Sequence, residues 1–396
     1  MRVLFVCHRF PFPPKRGGKI RPFNVIKHLA ERHDVTVASL VRSDAEAEEG
    51  QGLAKYCSKF LMERIGKPAA VARMIARLPT ATPSSMGYFH SPALARRLSR
   101  MLATEHFDVI FVHCAFAAPY VAHLTRVAKI LDFGDMDSQK WLTYAGVRRF
   151  PLALGYAVEG RKLRRREESL AAQFDLCTCT TRAEMETLAG YGVATPIGWF
   201  PNGVDAEYFA PTARAYDRDT IAFVGRMDYY PNQEAMITFC RTVWPLLRAR
   251  REGIKLLIVG AAPSRTVRDL GRLPGVTVTG SVPDVRPYLH QAAVAVAPLN
   301  IARGTQNKVL EAMAMGVPTV CSTAAAGGID ADPGRHTVTA STPEEYAGSI
   351  HRLLENPSER RRLAEAGRAR ILSHHSWEQS MRTLDGLIDE CLSRRP

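Results

Sequence analysis

Short runs of branched apolar residues alternate with amphipathic stretches along most of the chain, and this rhythm constrains the fold more than any other feature. "RVLFVCH" leads to "GGKIRPFNVIKHLAE" and then "DVTVASL"; further on, "DVIFVHC" precedes "APYVAHLTRV" and "AKILDF". Strands that read as continuous apolar runs are buried on both faces, as in a parallel sheet covered by helices. The rhythm restarts after the turn-rich "WFPNGVDAEYFAPT", where "TIAFVG", "IKLLIVG", "VTVTG", "AVAVAPL" and "VPTVCS" read as five more strands. The expected fold is α/β, with two doubly wound, Rossmann-like domains. Residues 1–200 form the first, 201–218 a linker, 219–375 the second, and 376–396 a C-terminal helix able to cross back to the first. Such a division suits 396 residues, too many for one ordinary core. Ligands of doubly wound sheets bind beyond the carboxyl ends of the strands, so two facing sheets would form one cleft.

Composition narrows the function classes. An apolar fraction of 46% suits a globular protein, and no apolar run approaches the roughly 20 residues that span a bilayer. The run "VLFVC" is too short for the core of a secretory leader, and charge follows it, so a cytoplasmic location is expected. The eight cysteines lie mostly inside apolar runs, without the spacing of a disulfide framework or a zinc site.

The formal charge of +14 is uneven: residues 1–200 carry 29 Lys+Arg against 18 Asp+Glu, and residues 201–396 carry 24 against 21. An anionic partner for the first half is therefore expected, and no nucleic-acid-binding module is recognisable to make that partner a nucleic acid. Between Lys55 and Arg100 stand nine Lys+Arg and one acid, Glu63. There "AAVARMIARL" puts Val71, Met74, Ile75 and Leu78 on one helical face. An anionic membrane surface is one partner for such a segment, with Tyr88 and Phe89 as interfacial anchors; the alternative is a stripe that faces its own domain. The Arg-rich "EGRKLRRREE" is balanced by Glu159, Glu167 and Glu168 and reads as a solvated helix face.

The stretch "RGTQNKVLEAMAMGVPTV", Arg303 to Val320, predicts a helix from Gln306, with Val309, Leu310, Met313 and Ala314 as its apolar stripe and Gly316 and Pro318 at its end. Its start carries Arg303 and Lys308, although a helix N-terminus favours negative charge. A bound phosphate reconciles the two, because it would take the free N–H groups and both cations together. Glu311, one turn after Lys308, is suited to accept hydrogen bonds from sugar hydroxyls, and phosphate with ribose means a nucleotide.

These residues carry a resemblance. "GTQNKVLEAMAMGVPTV" resembles the nucleotide-sugar motif of glycosyltransferase family four, the retaining GT-B enzymes. The likeness extends to the Gly-Gly loop after the first strand, "DVIFVHC", "NGVD" at residues 202–205, "FVGRM" and "VTVTGSVPDVRPYLHQAAVAVAPL". "LDFGDMDSQKW", "FVGRMDYYPNQEAM" and "RGTQNKVLEAMAMG" are similar to the sugar transferases associated with exosortase (PEP-CTERM) systems. The resemblance implies a nucleotide-sugar donor, a glycan or lipid-linked acceptor and no metal or other cofactor. It implies that His113 and Arg226 belong to the catalytic set, which Lys308 joins as the expected replacement of a missing lysine. Glu311 would bind the donor ribose, Arg226 the diphosphate and His113 the transferred sugar, while Gly17 and Gly18 would let the loop backbone approach the donor phosphates and the reacting sugar. Val282, within Ser281–Pro283, would contact the base, and Arg303 and Gly304 complete the donor site. Asp132, Asp135 and Asp137 lie on the acceptor side, where they would orient an acceptor hydroxyl or cap the next helix.

The chain departs from the family twice. Arg303 stands where the first Glu of a paired-Glu motif is expected, and the lysine that follows the diphosphate arginine by about five residues is missing from "RMDYYPNQ". Lys308, with Arg303, is expected to replace that lysine, or Arg303 to recognise an acidic donor sugar. A nucleotide-sugar 2-epimerase and a non-catalytic nucleotide-sugar-binding scaffold are the rival readings.

Overall fold

A computed structural model describes residues 1–212 and 215–394. The chain divides into two compact units, Met1–Pro201 joined by the residues from Met381 onward, and Asn202–Ser380. Each is built on one parallel sheet, as the alternation of elements requires.

In the first unit the strands are β1 (Arg2–Cys7), β2 (Asp34–Val41), β3 (Lys59–Arg64), β4 (Val109–His113), β5 (Ala128–Gly134), β6 (Leu176–Cys179) and β7 (Ile197–Trp199). Their order is β3-β2-β1-β4-β5-β6-β7, so the winding reverses between β1 and β4. The second unit holds β8 (Asp217–Val224), β9 (Lys255–Val259), β10 (Val276–Gly280), β11 (Ala292–Ala297), β12 (Thr319–Ser322) and β13 (Val338–Ala340), ordered β10-β9-β8-β11-β12-β13. Its reversal lies between β8 and β11. At such reversals the loops at the carboxyl edge diverge and leave a crevice.

Both faces of the second sheet are covered. Ile221 and Phe223 of β8 belong to one apolar cluster, and Ala222 and Val224 to another. The first sheet is equally dry: every residue of β4 and β5 is buried, and Phe5 stacks on Phe111 at 5.2 Å.

The sequence reading finds nine of these thirteen strands; β3, β6, β7 and β13 are additions. β3 is a half-buried edge strand within the basic segment Lys55–Arg100, and β7 and β13 are only three residues long. Tyr88 and Phe89 correct the expectation of interfacial anchors, because both pack against the first unit's core. Phe89 lies 4.8 Å from the His8 ring and 4.9 Å from Phe116. The helix Lys67–Ala76 divides its stripe, with Val71 and Met74 half-buried and Ile75 and Leu78 exposed.

Candidate functional site

In the second unit the strand ends beside the reversal are held by glycines. Gly260, at φ +153°, passes so close to Gly225 that a Cβ would stand 1.9 Å from the Gly225 oxygen. Gly225 leaves room in turn for two side chains: a Cβ there would lie 2.7 Å from Asn232 Nδ2 and 3.2 Å from Lys308 Cε. Asn232, almost fully buried, donates to the Arg226 carbonyl at 2.8 Å and accepts from Lys308 Nζ at 3.0 Å. Lys308 therefore brings its ammonium to the loop from which the expected lysine is missing.

Lys308 stands in the first turn of the helix Asn307–Ala314, which starts one residue later than expected and is followed by Gly316 at φ +69°. No side chain caps this helix. Gln306 turns its amide back to the Arg303 and Gly304 carbonyls, while Thr305 Oγ1 and Asn307 Oδ1 are buried without a hydrogen-bond partner. Such groups cost free energy unless a partner arrives, so they point to a ligand at this helix end. Gly304, at φ +63°, shapes the approach, and its carbonyl packs so tightly on Gly328 that a Cβ there would stand 2.0 Å away.

Lys308 and Glu311 sit close enough to interact without closing an ion pair, and the Glu311 carboxylate has no hydrogen-bond partner among the described residues. Burial pulls the Lys308 ammonium down to about 8 against the opposing pull of Glu311, and pushes the Glu311 carboxyl up to about 7 against that of Lys308. Each would be stabilised in its charged form by a complementary ligand. Arg226, partly exposed, donates Nε and Nη2 to the Asp228 carboxylate at 3.0 and 2.6 Å, which leaves Nη1 outside that fork. Half-buried Val282 packs on the cluster of Val224, Leu257 and Leu289. Arg303 is also half-buried and is not without a partner.

In the first unit the register sets His113, the last residue of β4, opposite Asp132 of β5. Asp132 is fully buried and accepts four hydrogen bonds: two from Arg21 at 2.8 Å each, one from Thr178 Oγ1 at 2.9 Å and one from His113 Nδ1 at 2.7 Å. Burial alone would raise its pKa, but the Arg21 charge and the bonds from Arg21 and His113 prevail and hold the carboxyl far below its usual range. Arg21 is itself buried, 3.6 Å over the Phe200 ring. Four acceptor positions are all a carboxylate offers, so Asp132 has none for an acceptor hydroxyl. It fixes His113 with the proton on Nδ1, leaving Nε2 to accept. Gly134, at φ +69°, gives the ring its space, since a Cβ there would lie 3.2 Å from His113 Cε1.

The other two aspartates differ. Asp135 is exposed and accepts from Thr180 Oγ1 at 2.7 Å. Asp137 opens the helix Asp137–Val147 without capping it; Glu184 and Glu167 take the Met136 and Ser138 N–H groups instead. The Asp137 carboxylate has no hydrogen-bond partner among the described residues, and burial raises its pKa despite the attraction of Lys140. Asp132 is thus closed to an incoming hydroxyl, while Asp135, with one bond accepted, and Asp137, with none, are open to it. Gly17 opens the helix Gly17–Ala30, and a Cβ on Gly18 would come no closer than 4.0 Å to Arg9, so the protein itself does not demand glycine at position 18.

Sequence reasoning overlooked His8 and Arg9, which leave β1 beside the reversal. Arg9 Nε donates to His8 Nε2 at 3.1 Å, and burial with the nearby Arg9, His113 and Arg42 keeps His8 neutral. Their position just past a strand end was the available signal. Among the described residues no cluster of His, Cys, Asp and Glu is arranged to hold a metal ion.

Residues 16–208 match the family model described as Glycosyltransferase Family 4, and residues 218–356 match the model described as Glycosyl transferases group 1. The D-inositol 3-phosphate glycosyltransferase of Nocardiopsis dassonvillei is 25% identical over 317 residues, 72% of this chain and 70% of that protein. The MMP alpha-(1->4)-mannosyltransferase of Mycolicibacterium hassiacum is 23% identical over 358 residues, covering 84% and 82%. Among solved structures, Anabaena Alr3699/HepE in complex with UDP superposes with a TM-score of 0.72 at 15% identity, over 98% of this chain and all of that one.

Proposed function

We propose that this chain moves a sugar from a nucleotide-sugar donor to a glycan or lipid-linked acceptor, with retention at the anomeric carbon; the matches of residues 16–208 to the Glycosyltransferase Family 4 model and of residues 218–356 to the Glycosyl transferases group 1 model support this reading. The observation that carries this reading is the uncapped helix end at Asn307, with its buried unpartnered groups, one cation and one unpartnered carboxylate one turn apart. Likeness to the exosortase-associated transferases adds exopolysaccharide or cell-surface glycan synthesis as the setting.

Lys308, Arg226 and the helix-end N–H groups meet the donor diphosphate, and Glu311 accepts from the ribose hydroxyls. As the bond from the anomeric carbon to the phosphate oxygen breaks, negative charge grows on the diphosphate. Positive groups already in position then favour the transition state over the ground state. The acceptor hydroxyl attacks on the face the phosphate leaves, the new C–O bond forms, and the hydroxyl proton passes to the departing phosphate oxygen. His113 Nε2 holds a hydroxyl of the transferred sugar, and Asp137 orients the acceptor. Lys308 and the helix end supply the charge that a metal would otherwise bring, so activity should persist in chelator.

Calorimetry with UDP, GDP, ADP and UMP tests the donor site, and UDP leads because HepE was solved with it. A diphosphate should bind more tightly than UMP, and Lys308→Ala should erase that preference. Absence of binding up to millimolar nucleotide, about −4 kcal/mol, would end this reading. Product anomeric configuration by NMR decides retention, and donor turnover without acceptor would indicate an epimerase.

A further inference from the structure

The helices Asp137–Val147 and Leu152–Ala171 form a hairpin whose tip is apolar and uncovered. Phe150 is 80% exposed, and Val147, Leu152 and Leu154 are each more than half exposed. The hairpin is nonetheless firmly built. Trp141 stacks on Tyr156 at 5.4 Å, Tyr144 meets Tyr156 at 5.7 Å, and Gly160 lies so close to Leu142 that a Cβ would stand 2.8 Å from its side chain.

The apolar surface continues onto a neighbouring element. Lys162 Nζ donates to the Leu78 carbonyl at 2.8 Å and so fastens the end of the helix Lys67–Ala76, with exposed Ile75 and Leu78, beside the second hairpin helix. Val158 precedes Lys162 by one turn, about 6 Å along the axis. Of the twelve large apolar side chains exposed among the described residues, seven are Ile75, Leu78, Val147, Phe150, Leu152, Leu154 and Val158. Chance scatter does not concentrate them this way, and a patch of this kind marks an interaction surface.

Charge selects the occupant. No Asp or Glu occurs between Ile65 and Thr104 or between Ser138 and Val158. Glu159, the first acid after the tip, is turned inward to accept from the Ser84 and Ser85 N–H groups. Around the patch stand Arg77, Arg149, Arg161 and Arg165, all exposed. A two-fold contact with a second copy would set these cations against themselves, which is repulsive. An anionic lipid surface satisfies both features, since it takes apolar side chains into the acyl boundary and cations at the headgroups.

We propose that the hairpin tip, with Ile75 and Leu78 beside it, docks this chain on the surface of an anionic bilayer. The surface segment is thus centred on residues 147–158, outside the 55–100 stretch that the charge count singled out. The helix Asp137–Val147 begins at the acceptor-side aspartates and ends at the tip, so it spans about 16 Å from one to the other. That is the reach over which a lipid-linked acceptor would extend from a surface to Asp137.

Co-sedimentation of the full chain with vesicles tests this, using phosphatidylcholine alone and phosphatidylcholine mixed with phosphatidylglycerol. Binding is read without nucleotide, so the result is independent of the donor assignment. The wild type should bind the mixed vesicles, bind them several-fold less at high salt, and bind the neutral vesicles weakly. Phe150→Ser/Leu152→Ser/Leu154→Ser should lower binding at least about tenfold at an unchanged melting temperature, and Arg149→Gln/Arg161→Gln/Arg165→Gln should lower it and flatten the salt dependence. Full binding by the apolar variant overturns the proposal. So does a wild type that ignores both vesicles and forms a dimer, by sedimentation velocity, that the same variant abolishes.

Discussion

Glu311 and Lys308 are held near the middle of the pH scale by the same cause, burial, acting on opposite charges. Ribose hydroxyls donating to Glu311 favour its ionised form, so nucleotide binding lowers that pKa and releases a proton below about pH 7. A diphosphate favours charged Lys308, so binding raises that pKa and takes up a proton above about pH 8. By linkage, UDP affinity should rise toward pH 7, hold, and fall beyond pH 8. Glu311→Gln should remove the acid limb and Lys308→Arg the alkaline one. A calorimetric affinity flat from pH 6 to 9 in the wild type would contradict both roles. Asp132 behaves differently because its carboxyl is depressed in the fold. Its contribution is fully present above the unfolded value of about 3.9 and is lost only as pH falls further. Asp132→Asn leaves Arg21 buried against a neutral amide, a change on the order of 3–5 kcal/mol. Thermal melts should show that loss at an equal size from pH 5 to 9.

Two glycines on neighbouring strand ends separate fold from site at the level of elements. Gly260→Ala drives a Cβ into the Gly225 backbone, which cannot retreat without parting β8 from β9, so the second unit should fail to fold, as read by circular dichroism. Gly225→Ala meets only side chains, Asn232 and the flexible end of Lys308, and its φ is not positive. It should fold with a small loss in melting temperature and bind nucleoside diphosphate at least about tenfold more weakly; equal affinity would mean that Lys308 does not need its seat on Asn232. Apart from the edge strand β10, the strands that the sequence made legible are those mostly buried on both faces with unbroken apolar runs; β6 is buried too, but its four residues "LCTC" are too short a run to read. β3 was missed because an edge strand in "KFLMER" keeps its charges, and β7 and β13 because three residues carry no period. The helix at Asn307 was legible from cations at the wrong end of a dipole. The Asn232–Lys308 contact was not, since it joins the first turns of two helices 76 residues apart in sequence. Separations of 111 and 46 residues likewise hid the fourfold satisfaction of Asp132, which depends on Arg21 and Thr178. The hairpin tip escaped because exposure is decided by what packs against a helix, and "FPLAL" alone is indistinguishable from a buried turn.

At the scale of the whole molecule, the C-terminal helix Trp377–Ser393 starts in the second unit and completes the first. Met381, Leu384, Ile388 and Cys391 are buried, and Ile388 meets Val3, Leu29, Val109 and Phe111 around a small void. Leu387 fills the space that Gly198 leaves open, and Asp385 pairs with His28 at 2.7 Å. Burying an apolar side chain of this size contributes about 1.5–3 kcal/mol, so four of them amount to much of the roughly 5–15 kcal/mol that holds a domain together. The residues assigned to the nucleotide part of the donor, Arg226, Val282, Arg303, Gly304, Lys308 and Glu311, lie between Asn202 and Ser380, a unit that does not depend on those contacts. Removing the residues from Met381 onward should therefore unfold the first unit while the second still melts cooperatively and still binds UDP. Leu384→Ala, at a cost of about 2–5 kcal/mol, should lower the first unit's calorimetric transition and leave the second in place. If both transitions moved together, the two units would be one cooperative body and the donor site would owe its stability to the whole chain.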